Sequence, residues 1–321
     1  MNEQGQKITI GKKANEYLDE AKKLPAMKRL LDTLLLEGTL NIWGGDNGVG
    51  KSLLAYSLAA ELCQGNDFLG MENEMESLRI AYYDFELTGR GLLKRYTNEQ
   101  TKEEYRFPDN LIRYELNPEN YNLTGKDYDD ALINEIRNNI KKDESKLIIV
   151  DNLTALKSKS PSDTDIAITL MNELNKLKNE LQITILILAH ITKIPKGKPI
   201  EKNHLAGSKI IQNLCDGMIG IAGSTENEKY IYLKELKNRF EEEKYGKNNV
   251  IVCNKIKRGA NLTVEFVKFD NELFQIMQND NEYKKVLEMH KNNPDYTYLE
   301  ISNQTGIGRK RISRMIKKLD S

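Results

Sequence analysis

Eight consecutive residues constrain this chain more than any others: Gly45-Asp46-Asn47-Gly48-Val49-Gly50-Lys51-Ser52, which match G-x-x-x-x-G-K-[ST]. They stand between an apolar run, Leu40-Asn41-Ile42-Trp43, and a helix-forming run, Leu53-Leu54-Ala55-Tyr56. A strand that turns directly into a helix presents the helix's first N–H groups unpaired. Glycines let the backbone curl so that those donors surround one anion, and the helix N-terminus adds partial positive charge. Gly45, Asp46, Asn47, Gly48, Val49, Gly50, Lys51, Ser52 and Leu53 therefore form a candidate phosphate cradle. Lys51 is spaced to reach the β- and γ-phosphates of a nucleoside triphosphate, and Ser52 to ligate Mg²⁺. Asp46, an acid in the loop, is expected to point away from the phosphates.

What surrounds the loop fixes the fold class. Short apolar runs (39–43, 78–84, 111–116, 147–150, 183–189) alternate with amphipathic stretches (53–62, 92–96, 131–140, 166–181). That rhythm predicts an α/β fold: a mainly parallel sheet covered by helices on both faces. The runs 218–222, 230–236, 250–256 and 262–269 follow, the last three read as antiparallel strands. Lys146-Leu-Ile-Ile-Val-Asp151 is an apolar strand ending in a carboxylate. Parallel sheets bind ligands at that end, so Asp151 is the second candidate Mg²⁺ residue, acting through water.

The chain has 48 Lys+Arg against 48 Asp+Glu, so any contact with nucleic acid must come from local patches rather than a basic whole. One such patch closes the sequence. Between Thr305 and Leu319 lie Arg309, Lys310, Arg311, Arg314, Lys317 and Lys318, with no acid. Ile301, Ile307, Ile312, Ile316 and Leu319 keep helical spacing, and Gly306 suits a turn, so 298–319 reads as a helix-turn-helix, and it resembles bacterial helix-turn-helix or winged-helix domains. The longest apolar run, Ile183–Ala189, is too short to span a bilayer, and the first residues lack the apolar core of a signal peptide. Three scattered cysteines argue against a disulfide framework or a zinc site. The expectation is a cytoplasmic protein without a membrane partner, divided into an N-terminal helical arm (1–36), a nucleotide-binding domain (37–278) and a helix-turn-helix domain (279–321).

Four further features, in order along the chain, resemble the RecA-like P-loop ATPases, especially the RepA-type plasmid helicases and the DnaB-like replicative helicases. Arg79-Ile-Ala-Tyr-Tyr-Asp-Phe-Glu86 ends a strand where that family carries its water-activating glutamate. The resemblance makes Glu86 the catalytic base, with Asp84 read on the opposite face as the weaker candidate. The strand 184–189 runs into His190, where the family places a group that senses the γ-phosphate. Residues 192–203 carry Lys193, Lys196, Lys198 and Lys202 before the segment His204-Leu-Ala-Gly207-Ser208, a region that lines the DNA channel in the family. Lys237-Asn238-Arg239 resembles the strand end that enters the neighbouring subunit's site, with Arg239 as the finger and Lys237 beside it; the run Glu241-Glu242-Glu243, positioned to screen the finger, departs from the family's pattern. The resemblance implies a homo-oligomer, a hexameric ring, that binds ATP and Mg²⁺. Single-stranded DNA would occupy its central channel and duplex DNA its helix-turn-helix, with hydrolysis driving translocation or unwinding in plasmid or mobile-element replication. Two other readings share the same residues: an ATP-gated DNA-binding regulator, and an accessory ATPase of recombination or mobilisation.

Overall fold

The structure, a computed structural model, describes residues 9–117, 126–152, 164–195, 198–204, 209–277 and 281–320. It opens with helix α1 (Ala14–Ala21), which buries none of its residues. A small antiparallel hairpin follows, β1 (Arg29–Leu31) and β2 (Leu35–Leu36). This corrects the reading of residues 1–36 as one helical arm. Leu30, Leu31, Leu34 and Leu35 are buried in the main core, so the arm ends before the hairpin.

Next come β3 (Leu40–Gly45), α2 (Lys51–Gln64), β4 (Ile80–Asp84), α3 (Gly89–Arg95), β5 (Leu111–Tyr114) and α4 (Lys126–Asp143). They are followed by β6 (Leu147–Asp151), α5 (Thr164–Leu181), β7 (Thr184–His190), α6 (Lys209–Leu214) and β8 (Gly217–Gly223). Then β9 (Tyr230–Asn238), β10 (Val250–Arg258) and β11 (Asn261–Asp270) lead into α7 (Glu272–Ile276). One sheet of nine strands takes the order β11-β10-β9-β8-β3-β7-β6-β4-β5. Strands β8 through β5 in that order are parallel, and β9, β10 and β11 add antiparallel to one side. The chain leaves β3 through α2 and lands three places away at β4; β6 and β7 then fill the gap. The central parallel strands β3, β4, β6 and β7 are almost wholly buried, as near-continuous apolar runs require when helices cover both faces.

Two apolar layers flank the sheet. Helix α2 is buried on nearly all sides and anchors one layer with Trp43, Tyr82, Leu188 and Ile251. The other layer joins α4 and α5 to Ile42, Val150, Ile187 and Val252. The α2 layer is stitched by polar contacts: Tyr56 stacks on Tyr82 at 4.1 Å, and Ser57 and Thr263 share a hydroxyl contact of 3.1 Å. Beyond the sheet, α8 (Asn281–Asn292), α9 (Tyr298–Thr305) and α10 (Arg309–Asp320) close around a core of their own, with Val286, Ile301, Ile312 and Ile316 at its centre. The sequence reading has the last two helices but not α8. The side chains of Lys318 and Leu319 lie outside the described residues. Among those residues, no helix is long and apolar enough to cross a membrane.

Candidate nucleotide site

Parallel register sets the site. Gly45 pairs with His190 across β3 and β7, and Asp84 with Asp151 across β4 and β6. The C-terminal ends of these four strands therefore meet at one edge, where the loop from Gly45 to Lys51 opens. Two glycines in the loop have a steric reason. A side chain at Gly45 would come within 2.8 Å of the Ile221 carbonyl oxygen and 2.9 Å of Val49 Cγ1. Gly50, the residue before α2, holds φ at +117°, a conformation that side chains rarely adopt.

Lys51 is buried beneath the loop, and its Nζ donates to the carbonyls of Gly45 (2.9 Å) and Asp46 (3.0 Å). Those oxygens stand where phosphate oxygens would compete for the same donor. Burial lowers the Lys51 pKa, against the raising effect of Glu86, Asp151 and Asp46. The Asp46 side chain is taken up by the Asn47 N–H on the exposed side of the loop, in keeping with its expected position.

Asp151 is 1% exposed. Its Oδ2 accepts from the Tyr82 hydroxyl at 3.0 Å, while Oδ1 is buried with no hydrogen-bond partner. Burial raises its pKa to about 6; the nearby Ser52 side chain opposes the rise and Glu86 adds to it. An orphaned, desolvated carboxylate oxygen beside a hydroxyl fits a divalent cation, so Ser52 and Asp151 would hold Mg²⁺. Among the described residues no three His, Cys, Asp or Glu side chains gather into a metal cluster, so water and phosphate oxygens would complete the coordination.

Glu86, Asn152, His190 and Lys51 form a chain of contacts. The Asn152 amide nitrogen donates to Glu86 Oε1 and lies 2.9 Å from His190 Nε2. His190 Nε2 is 3.1 Å from Glu86 Oε1, and His190 Nδ1 is 3.3 Å from Lys51 Nζ. The two ring nitrogens of His190 touch Lys51 on one side and Glu86 and Asn152 on the other. The imidazole thus joins the buried Lys51 ammonium to the half-exposed carboxylate of Glu86.

Asp84 departs from the sequence reading, which has it on the opposite face from Glu86. Residues two apart in a strand share a face, so alternation does not separate Asp84 from Glu86, and strand β4 in any case stops at Asp84. Asp84 Oδ1 accepts the backbone N–H groups of Glu86 (3.3 Å) and Leu87 (2.8 Å), and Oδ2 accepts from Tyr56 (2.8 Å) and Arg113 (3.1 Å). Asp84 positions Glu86 instead of competing with it. Asn152 and Arg113 are the residues the sequence reading missed. Asn152 follows Asp151 directly, so its place was open to inference; Arg113 reaches the site only through strand pairing.

Lys237 and Arg239 lie at the other edge of the sheet. Asn238 pairs with Gly217 at the start of β8, whereas Gly45 pairs with Ile221 four residues on, about 13 Å away along the strand. Lys237 donates to the carbonyls of Gln212 (2.7 Å), Asn213 (3.4 Å) and Cys215 (2.6 Å), closing the end of α6, so it is occupied within its own chain and is not a free companion to a finger. Arg239 pairs with Asp216 at 2.7 Å and donates to the Asn213 carbonyl, with its side chain 45% exposed. Two acids of the following run are engaged elsewhere: Glu241 pairs with Arg29, and the Glu243 carboxylate packs on Gly246.

Lys193, Lys198 and Lys202 are exposed on the segment after β7, whose ends close through the Thr192 N–H and the His204 carbonyl (2.7 Å). Lys196 and residues 205–208 lie outside the described residues. Arg309, Lys310, Arg311 and Arg314 are exposed on α10, Arg311 pairing with Glu282 at 2.8 Å.

Residues 13–195, more than half of the chain, match the AAA domain family. The chain belongs to that family. It is 28% identical over 223 residues to a DNA repair protein RadA of Rickettsia prowazekii, covering 67% of this chain and 41% of the relative. The Rickettsia conorii RadA is 28% identical over 241 residues, covering 71% and 45%. The Chlamydia pneumoniae RadA is 23% identical over 239 residues, covering 73% and 43%. The chain thus spans less than half the length of these relatives. With the sheet order and the loop, the matches fit a RecA-like P-loop fold.

Asp151 gives a pH prediction. A raised carboxylate pKa means that the folded chain holds a proton the unfolded chain releases. Its stabilising effect is full below about pH 4 and is lost as pH rises through about 6. In nucleotide- and metal-free buffer, Asp151→Asn removes this loss and raises stability at pH 7.5 by about 3 kcal/mol. Denaturant unfolding at pH 5 and pH 7.5 checks it; the same pH dependence in both proteins contradicts it.

Proposed function

We propose that this protein couples ATP hydrolysis to movement along DNA, as an oligomeric ATPase resembling RepA-type helicases. The observation that carries the hydrolytic part is the contact chain Lys51–His190–Glu86 beside the buried Asp151. Glu86 takes the proton of the attacking water, and Asp84 and Arg113 fix its backbone. Asn152 and His190 hold its carboxylate, and Lys51 neutralises the phosphates. A bound Mg²⁺ supplies further charge neutralisation at the triphosphate. Loss of the γ-phosphate frees Lys51 to return to the carbonyls of Gly45 and Asp46. His190, one contact away and at the end of β7, passes that change to the lysine-bearing segment 192–204.

The DNA part is supported by the relatives' description as DNA repair proteins, by the exposed lysines after β7, and by the basic face of α10. We read α8–α10, with their own core, as a helix-turn-helix domain following an ATPase domain that begins at the β1–β2 hairpin; α1 forms the arm before it. The distance of Arg239 from its own phosphate loop favours a role in the neighbouring subunit's site, in a hexameric ring. A second reading, an ATP-gated regulator, draws on the same α10 face: a sequence-reading helix has no duty in a ring that moves along any strand.

Purified protein should hydrolyse ATP several-fold faster with single-stranded DNA than without, and replacing Lys193, Lys198 and Lys202 together by Gln should abolish the stimulation. Turnover indifferent to single strands, with tight duplex binding, would favour the regulator. Arg239→Ala should cut turnover about a thousandfold while nucleotide still binds. Mixing it with Lys51→Ala should restore part of the activity, because mixed rings contain intact composite sites. No restoration would contradict action across the interface.

A further inference from the structure

We propose that Lys255 is a second cation of the nucleotide site, supplied by the same chain and directed at the ribose side of the bound polyphosphate. The proposal rests on the ATP-site reading above. Strand β10 runs antiparallel to β9, itself antiparallel to β8. Its C-terminal end therefore emerges at the same edge of the sheet as the phosphate loop. Along β10, Ile251 and Cys253 are buried in the α2 layer, while Val250 and Val252 face the other. Alternation puts Lys255 on the α2 face, one step past the end of the core. Its stem lies across Gly50: a Cβ there would stand 3.4 Å from Lys255 Cδ.

The Lys255 ammonium sits two bonds beyond that carbon, about 2.5 Å further out. The side chain is half-buried, and among the described residues its ammonium makes no hydrogen bond or ion pair. A lysine whose stem is packed and whose head is free at the rim of a phosphate loop has the form of an anion ligand. Its strand is held firmly in place. Lys257, next on the same face, donates to the Thr97 carbonyl at 2.7 Å, Thr263 meets Ser57 of α2, and Val264, cross-strand from Lys255, is buried. A charge carried on such a support needs little ordering when the ligand arrives.

Topology decides which part of the nucleotide it meets. Glu86, Asp151 and His190, the groups for the γ-phosphate, come from β4, β6 and β7 on one side of β3. Lys255 comes from the other side, beyond β8 and β9. It therefore meets the α- and β-phosphates, which ADP and ATP share, and not the transferred group.

The test is a titration of the full-length protein with a fluorescent ADP analogue and Mg²⁺, with ATP as competitor, at low and high salt. Lys255→Met keeps the stem and removes the charge. It should weaken ADP and ATP equally, by about tenfold at low salt, and flatten the salt dependence. Lys255→Arg should bring affinity back towards wild type. Wild-type affinity in Lys255→Met, a loss confined to ATP, or an Arg variant no better than Met would overturn the proposal. Lys51→Ala in parallel separates the two claims, because undiminished ADP binding by that variant would overturn the site reading itself.

Discussion

Four parallel strands that end at one edge govern this molecule. Hydrogen-bonded register, not side-chain attraction, sets Gly45 opposite His190 and Asp84 opposite Asp151. Left to themselves, Asp84, Glu86 and Asp151 would repel, and burial raises Asp151 to about 6. They are held together because the backbone pairing and two apolar layers outweigh that cost. Each carboxylate then has a separate duty. Asp84 is consumed by hydrogen bonds, Glu86 is shared with an amide and an imidazole, and Asp151 keeps one oxygen unpaired. That unpaired oxygen is the sort of buried unsatisfied group that a structural role does not explain and a cation site does.

The opposite edge of the sheet is built on other principles. Asp216, 3% exposed, accepts from the Leu40 N–H at 2.9 Å and pairs with Lys178 at 2.8 Å and Arg239 at 2.7 Å. This cluster ties the starts of β3 and β8 to α5 and to the end of β9. A second buried carboxylate, Glu272, joins Lys234 and the Ile200 N–H (2.9 Å), so the segment after β7 is anchored at Ile200 while Lys193, Lys198 and Lys202 stay exposed.

The strand and helix order was legible in the sequence because buried parallel strands leave long apolar runs and the helices between them keep a helical period. Asp151, Glu86 and His190 were legible for the same reason, as the residues in which apolar runs end. Other features left no such trace. The strands of the β1–β2 hairpin have three and two residues, too few for any period, so Leu30 and Leu31 merged with the helical arm. Arg113 and Lys255 reach the site from strands whose neighbours are set only by topology. The contacts that Lys237 and Arg239 make within their own chain left no trace either, because nothing local to them announces Asp216 or the carbonyls at the end of α6.

The claim at the centre of this account is that the half-exposed carboxylate of Glu86 activates water while the phosphate loop binds nucleotide without it. Single-turnover hydrolysis of Mg·ATP by Glu86→Gln, with ATP affinity measured on the same sample, tests it directly. The account predicts near wild-type affinity and a chemical step slowed at least a hundredfold, the usual worth of a positioned general base. Hydrolysis at an undiminished rate would contradict it and move the catalytic base elsewhere in the site.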